Sequence, residues 1–346
     1  HQQDWWSTLS GIHFCKRVTD RVKRGFLVPN KFDAILMIAF GGPEKPEDIR
    51  PFLANVTSGR PIPKERIEEV AHHYELIGGR SPLNELTFRQ AHGLEADLKE
   101  RGYKLSVYVG MRNWHPLLAE TVIEMADRGV KRALGLIMAA HQCDGSWQRY
   151  QRDVEEAISK TGVQLSVDYA APLFDHPLFI EASADRIYEC LLQIPPADRQ
   201  SAVLVFTAHS IPTPMAAESP YVRQLTTSSR LIAERLRFDL AHHRRHDRWM
   251  LAYQSRSGRP TDPWLEPDIC DVIRGLANQG VRHVVVQPIG FLCEHVEVLY
   301  DIGIEAVEVA KEVGITLLQA KTVNDDPKFI AALADVVERH IKDGIR

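Results

Sequence analysis

Short apolar runs alternate along the chain with longer amphipathic stretches. Eight such runs, rich in Val, Ile, Leu and Met, predict strands at 34–40, 105–109, 134–139, 165–169, 203–207, 250–253, 284–288 and 315–318. Their apolar positions are nearly continuous rather than alternating. Both faces of each strand are therefore expected to be covered, as in a parallel sheet.

The stretches between these runs have the apolar spacing of helices. They predict helices at 85–100, 118–127, 147–160, 178–192, 221–237, 296–312 and 328–342. Strands that alternate with helices are typical of βαβ units in doubly wound α/β sheets. Ligands of such folds bind beyond the carboxyl ends of the strands, so functional residues are expected directly after each run.

The eight strands divide into two groups of four with similar spacing. The last three runs of the first group start 29 and 31 residues apart, and those of the second group 34 and 31 residues apart. This pattern predicts two similar halves that meet near 171–177. A proline-containing excursion at 41–104 follows the first strand, and its length predicts a lid or a pocket wall.

Composition excludes several classes of protein. With 346 residues, 44% hydrophobic and 25% charged, the chain is typical of a soluble globular protein and not of a disordered or fibrous one. A net charge of -4 gives no reason to expect a nucleic-acid partner. Because no apolar run approaches the roughly 18 residues of a membrane span, at most peripheral membrane contact is expected.

The cysteines favour a reducing compartment. The five cysteines stand singly, without a Cys-x-x-Cys pair, which argues against a zinc site or a disulfide scaffold and predicts a cytoplasmic protein. The first residues lack the apolar segment of a secretory signal. We interpret residues 1–31 as an extension outside the core fold.

A histidine follows the fifth predicted strand, in Thr-Ala-His-Ser-Ile-Pro at 207–212. His209 has a reference pKa of about 6.5, so at pH 7 its neutral ring can accept a proton or bind a metal. Taken alone, a histidine at such a place is more often part of the core or of a turn. The motif is not a catalytic triad, because Ser210 follows the histidine directly and no nucleophile elbow is present.

Three carboxylates follow the seventh predicted strand. Glu297, Asp301 and Glu305 are spaced so that a helix places them on one face. The like charges of such a row repel each other and are stabilised only by solvent or by a cation. A solvent-exposed helix face is the simpler explanation. Apolar neighbours nevertheless predict a largely buried helix, and imidazole with carboxylate suits Fe²⁺. Since His209 and Glu297 follow strands of the same half, they can face each other.

The first half contributes further candidates at strand ends and turns. Tyr74 and Ser81 flank a Gly-Gly turn, with Ser81 as a candidate helix cap, and Arg112, Tyr150 and Phe40 lie near strand ends. An arginine and hydroxyls around aromatic rings suit a flat apolar molecule with carboxylates. Packing or capping explains each residue equally well. The chain lacks a Gly-x-Gly-x-x-Gly loop, which counts against a sugar-nucleotide enzyme.

Taken together, these strings resemble ferrochelatase from about residue 32 onward, most specifically at 206–212, 254–268 and 288–301. The resemblance implies two similar Rossmann-like domains, each a doubly wound four-stranded parallel sheet, with a porphyrin cleft between them (the chelatase fold). The implied limits are 32–171 and 172–325. It also implies that a C-terminal helix, 326–346, packs back on the first domain.

The resemblance assigns roles to the candidate residues. His209 matches the pocket histidine and Glu297 its facing carboxylate, which would bind iron and accept pyrrole protons. Asp301 and Glu305 match an acidic row that leads outward. Ser81 and Tyr150 match porphyrin-contacting positions, and Phe40 falls where some members have a tyrosine that approaches the iron. With the candidates Tyr74 and Arg112, these residues are expected to bind the porphyrin.

The segments 55–60, 112–114 and 207–212 are most similar to actinobacterial-type members. This implies insertion of Fe²⁺ into coproporphyrin III to give coproheme, with a protoporphyrin IX enzyme as the alternative. No cysteine follows Cys293, so the [2Fe-2S] cluster of some relatives is not expected, and iron is the substrate with no organic cofactor. A tetrapyrrole or metal carrier without turnover and a cobalt or nickel chelatase are further candidates.

Overall fold

Two separate four-stranded parallel sheets form the framework of the protein. The computed structural model describes residues 31–59, 61–236, 249–257, 259 and 261–343. One sheet has the order β2-β1-β3-β4 and the other β6-β5-β7-β8. The strands are β1 (Ala34–Ala39), β2 (Ser106–Met111), β3 (Arg132–Ile137), β4 (Ser166–Tyr169), β5 (Val203–His209), β6 (Trp249–Gln254), β7 (His283–Gln287) and β8 (Thr316–Gln319). The identical order in both sheets confirms the predicted fold class and its duplication.

Helices cover both sheets. In the first half they are α1 (Ile49–Thr57), α2 (Lys64–Leu76), α3 (Leu83–Glu100), α4 (Leu118–Asp127) and α5 (Arg149–Thr161). They continue with α6 (Pro177–Leu191), α7 (Thr213–Ala217), α8 (Tyr221–Arg235), α9 (Ile269–Asn278), α10 (Val307–Glu312) and α11 (Pro327–Asp343). None of those in the described residues is long and apolar enough to cross a membrane.

One predicted helix has a different conformation. The segment predicted at 296–312 is a π-helix over Glu297–Ala306 that continues as α10. A shorter π-helical turn, Asp144–Gln148, precedes α5. The helix predicted at 221–237 ends at Arg235, and residue 237 lies outside the described residues. π-Helical turns are rare and occur frequently at functional sites.

The central strands are buried on both faces. All six residues of β1 are buried, and five of the seven residues of β5 are. Side chains from the two halves share the largest apolar cluster, which contains Leu94, Phe179, Phe206 and Phe329. Burial on both faces explains why the strand sequences are apolar without alternation.

Two helices cross between the halves. Although α6 follows the first sheet, it packs against α8 and β7 of the second half. Similarly, α11 follows the second sheet but packs against α3 of the first half and against α6. Arg101, directly after α3, forms an ion pair with Asp335, and a side chain in place of Gly93 would meet Ile330 at 3.2 Å. The predicted limits 32–171 and 172–325 stay a prediction, and residues 1–30 and 344–346 lie outside the described residues.

Candidate active site

His209 and Glu297 face each other at the carboxyl edge of the second sheet. His209 ends β5, and Glu297 begins the π-helix that follows the neighbouring strand β7. His209 Nε2 lies 3.7 Å from Glu297 Oε1, and the two side chains are 31% and 33% exposed. The two groups are therefore close together and accessible to a small ion.

The surroundings of His209 select one tautomer of its neutral ring. Its Nδ1 lies within hydrogen-bond distance of the Ser210 carbonyl oxygen. Because a carbonyl only accepts, the hydrogen is on Nδ1 and the Nε2 lone pair points toward Glu297. The Tyr221 hydroxyl, from α8, donates to the His209 carbonyl over 3.1 Å. This arrangement leaves Nε2 able to accept a proton or bind a metal.

The acidic row leads from Glu297 toward the surface. Asp301 is partly buried and accepts a hydrogen bond from the Ser255 hydroxyl. Burial and the nearby Glu297 carboxylate raise the pKa of Asp301 to about 8. Glu305 is exposed, and its pKa is raised by partial desolvation and by Asp268 at the start of α9. The π-helix makes i→i+5 bonds, so residues four apart are still nearly one turn apart.

Aromatic rings of the first half line the opposite side of this region. Phe52 of α1 makes edge contacts with Phe40, Tyr74 and Trp114, at centroid distances of 6.3, 5.9 and 6.2 Å. Phe40 is exposed, whereas Tyr74 is buried. Burial, and secondarily Glu297, raises the pKa of Tyr74, so its phenol stays neutral. We call these four residues the aromatic wall, in which Phe40 is exposed while Phe52 and Tyr74 are buried behind it.

The aromatic wall is packed against the π-helix. Tyr74 and Phe52 belong to an apolar cluster that also includes Val296, with Tyr300 packed against it. The ring of His73 from α2 stacks on Tyr300, with 3.7 Å between centroids and 12° between the planes. The 41–104 excursion thus contains helices that pack against the π-helix beginning at Glu297.

Arg112 and Tyr150 lie together below the aromatic wall. Arg112 Nε is 3.0 Å from Asp153 Oδ2, and both side chains are largely buried. This carboxylate offsets the guanidinium charge within the protein itself. Tyr150 is buried, and burial raises its pKa, with Arg112 opposing the shift. The Tyr150 phenol therefore stays neutral, whereas Arg112 keeps its charge and shares Asp153 with Arg149, whose Nε lies 2.9 Å from the other carboxylate oxygen.

Ser81 serves a local structural purpose at the start of α3. Its buried hydroxyl accepts a hydrogen bond from the Leu83 amide at 3.3 Å, as expected of a residue that caps a helix. A side chain in place of Gly42 would come within 2.8 Å of the Ser81 Cβ. The glycine after β1 therefore permits the strand-end loop to pass directly over Ser81.

Three contributors were not predicted as site residues from the sequence. Gln254 ends β6 beside the site, Ser255 follows it, and Tyr221 supports His209 from α8. For the first two, their position at a strand's carboxyl end was the signal that could have found them. In the described part of the chain, no three histidine, cysteine or carboxylate side chains are grouped as a metal site.

Comparison with known proteins places the chain among chelatases. The Ferrochelatase family model matches residues 32–341. A coproporphyrin III ferrochelatase of Nocardia farcinica is 43% identical over 90% of this chain and 89% of its own length. The corresponding enzyme of Streptomyces coelicolor is 42% identical over 88% and 84%, and that of Mycolicibacterium smegmatis 41% over 89% of both chains.

Solved structures share the fold at low sequence identity. SirB from Bacillus subtilis, solved with Fe³⁺, has a TM-score of 0.54 at 12% identity and covers 90% of this chain and 96% of its own. The sirohydrochlorin chelatase SirB of Bacillus subtilis subspecies spizizenii, in complex with cobalt, has a TM-score of 0.51 at 11% identity, over 90% and 95%. These likenesses concern the arrangement of helices and strands alone.

Proposed function

We propose that coproporphyrin III is the substrate of this chain, which belongs to the ferrochelatase family. The chain is a lyase of heme biosynthesis that inserts ferrous iron into a porphyrin. The relatives described above are named for coproporphyrin III, so coproheme is the proposed product. The observation that carries the proposed site is the 3.7 Å approach of His209 Nε2 to Glu297 Oε1.

The spacing of His209 and Glu297 suits a single divalent cation. Nitrogen and oxygen donors bind such ions at about 2.0–2.2 Å, so two donors 3.7 Å apart can contact one ion together. Imidazole and carboxylate are accepted by Fe²⁺ without a thiolate. Iron is the substrate here, and a pair of exposed donors allows it to arrive and to leave.

The same two groups supply the proton chemistry of insertion. A porphyrin carries hydrogens on two of its four nitrogens, and insertion of Fe²⁺ releases both as protons. Once the ion has passed to the macrocycle, the Nε2 lone pair of His209 accepts one pyrrole proton and the Glu297 carboxylate, which first offsets the charge of the ion, accepts the other. Contacts between the aromatic wall and the macrocycle supply binding energy that offsets its distortion out of plane.

We infer that Ser81, Tyr150, Tyr74, Arg112 and Phe40 form the porphyrin side of the cleft. Phe40 is the exposed member, which supports a direct contact of its ring with the macrocycle in this proposal. The ion pair between Arg112 and Asp153 favours an indirect contribution of Arg112, through the wall rather than through a propionate. Asp301 and Glu305 extend the acidic surface outward as a route for the metal or for protons.

Neither a [2Fe-2S] cluster nor an organic cofactor is part of the proposal. Such clusters are held by several cysteine thiolates together, whereas Cys143, Cys190, Cys270 and Cys293 are each buried and free. We expect the purified protein to lack the visible absorption of a cluster. A cytoplasmic location, the absence of a nucleic-acid partner and at most peripheral membrane contact stay predictions.

An anaerobic insertion assay that offers coproporphyrin III and protoporphyrin IX side by side tests the function. Coproporphyrin III should be metalated faster, and His209→Ala should abolish insertion while porphyrin still binds. His92→Ala, which alters an exposed histidine of α3, is the matched control and should keep wild-type turnover. Faster use of protoporphyrin IX would favour the alternative enzyme, and stoichiometric binding without turnover would favour a carrier.

A further inference from the structure

We propose that Gln254 is a positioning residue that fixes the distance between His209 and Glu297; this inference rests on the proposed function. Gln254 ends β6 and is 1% exposed. Its side-chain oxygen accepts a hydrogen bond from the Thr207 hydroxyl at 2.8 Å. Its side-chain nitrogen donates to the Glu297 carbonyl at 2.5 Å.

The backbone of Gln254 is attached to the strand that carries the histidine. In the parallel pairing of β5 with β6, Gln254 lies opposite His209, and its carbonyl accepts a hydrogen bond from the Ser210 amide at 2.8 Å. Thr207, two residues before His209, is fully buried on the same strand. The backbone and side-chain oxygen of Gln254 are therefore both fixed relative to His209.

The side-chain nitrogen of Gln254 connects the end of β6 to the π-helix. Glu297 is the first residue of that helix, so this hydrogen bond attaches the first turn of the helix to the end of β6. The glutamine amide offers the two functions on separate atoms, an oxygen that accepts from the Thr207 hydroxyl and a nitrogen that donates to the Glu297 carbonyl. Asparagine is one methylene shorter and cannot span both partners from the same backbone position.

Loss of the hydrogen bonds that Gln254 makes to Thr207 and Glu297 should displace Glu297 rather than unfold the protein. Without the bond from Gln254, the first turn of the π-helix loses its attachment to the end of β6 and is expected to shift. Shifts of about 1 Å in the placement of reacting groups can reduce rates about a hundredfold. A purely structural glutamine would instead affect stability and leave the catalytic constants unchanged.

The test compares Gln254→Met with Gln287→Met. Gln287 ends β7, is 2% exposed and donates to the Lys321 carbonyl at 3.3 Å, so it is a buried strand-end glutamine whose side-chain hydrogen bond goes to Lys321 and not to Glu297. In Gln254→Met we expect kcat to fall at least tenfold and KM for Fe²⁺ to rise severalfold. Porphyrin affinity and Tm should change no more than in Gln287→Met. Equal kinetic losses in the two variants would overturn the proposal.

Thr207→Val provides a second variant that keeps the bond to Glu297 and loses only the hydroxyl that orients the amide. The decrease in kcat should be smaller than in Gln254→Met. In the Gln254→Met background, Thr207→Val should cause no further decrease in kcat, because both substitutions affect the same hydrogen bonds of Gln254. Additive losses would contradict the proposal. If Gln254→Met does not fold, Thr207→Val decides alone: a raised KM for Fe²⁺ with unchanged Tm supports positioning, and unchanged kinetics refutes it.

Binding of Co²⁺ separates this inference from the proposed function. If the wild-type protein inserts no iron, the proposed function fails. The dissociation constant for Co²⁺, measured by titration without porphyrin, then tests Gln254 directly. A weaker affinity in Gln254→Met than in Gln287→Met supports the positioning role, and equal affinities overturn it.

Discussion

Phe179 and Phe329 lie against each other at equivalent places in the two halves, with ring centroids 6.1 Å apart. Each belongs to a Pro-x-Phe-Ile sequence that begins a crossing helix, α6 or α11. Both rings are fully buried in the shared apolar cluster. The two halves therefore meet in one continuous core where these helices cross.

We expect Phe329→Ala to lower the free energy of unfolding by about 3–5 kcal/mol, because it removes a buried ring and leaves a cavity. Urea unfolding followed by tryptophan fluorescence and by circular dichroism measures the change. Since the ring contacts both halves, the two signals should move together as one transition. Ile123→Ala, at an exposed residue of α4, should stay within about 0.5 kcal/mol. Two separate transitions, with only one shifted, would contradict a shared core.

Glu297→Gln should reduce the rate of iron insertion by about a hundredfold or more, since it keeps the size of the side chain and removes the charge and the proton acceptor. Steady-state kinetics under anaerobic conditions measures the rate, and fluorescence quenching measures porphyrin affinity, which should be unchanged. Glu308→Gln, in α10 at an exposed carboxylate, is the control and should have wild-type kinetics. Equal activity of the two variants would indicate that the acidic row is only a solvated helix face without a role in iron insertion.

The pH dependence of iron use should reflect Asp301. Because its pKa is raised to about 8, this carboxyl is largely protonated at pH 7 and ionises as the pH rises. Ionisation adds a negative charge beside Glu297 and strengthens attraction for the cation. The KM for Fe²⁺ should therefore fall as pH rises from about 7 toward 9.

Asp301→Asn should remove most of this fall in KM, because the amide does not titrate. Its KM for Fe²⁺ should be severalfold higher than that of the wild-type protein at high pH and similar at low pH. Glu305→Gln, farther out on the same row, should have a smaller effect. A wild-type pH profile in Asp301→Asn would assign the dependence to another group.

Stability at acidic pH should depend on His141. This residue follows β3, and its Nε2 lies 2.9 Å from the Ser228 hydroxyl of α8, which itself donates to the Phe174 carbonyl. Burial lowers the pKa of His141 to about 3. Below about pH 6.5 the unfolded chain binds a proton that the folded protein does not, so stability is lost as the pH falls toward 3.

Between about pH 6.5 and pH 3, His141 is expected to change the free energy of unfolding by at most about 1.4 kcal/mol per pH unit. His141→Gln should flatten this slope, because glutamine keeps a donor for Ser228 and does not titrate. His92→Gln, at an exposed residue, should leave the slope as it is. Urea unfolding at pH 5 and pH 7 measures the difference. A slope unchanged in His141→Gln would assign the acid sensitivity to other groups.

The strands could be predicted because their apolar runs reflect burial on both faces. All eight predicted runs overlap observed strands. By contrast, α1 and α2 were not predicted within the excursion. α2 buries only Ala71 and Tyr74, so its sequence lacks the continuous apolar face that marks a helix packed on a sheet. It packs instead against α1 of its own half and against the π-helix of the other half.

The site could be predicted only in part. Strand order brings the ends of β5 and β7 together, so the approach of His209 to Glu297 followed from topology. The π conformation could not be predicted, because a four-residue spacing suits an α-helix equally well. The pairing of Arg112 with Asp153 and the bridge made by Gln254 depend on side-chain contacts across the fold, which local sequence patterns do not encode.

The crossing of α6 and α11 bears on how the protein is made. During synthesis the first sheet and α3 leave the ribosome long before α11 does, so the apolar surface beside Gly93 stays uncovered until α11 has been made. An isolated N-terminal fragment would keep that surface in water and should associate with itself or with chaperones. The first half is therefore fully covered only once α11 has packed on α3.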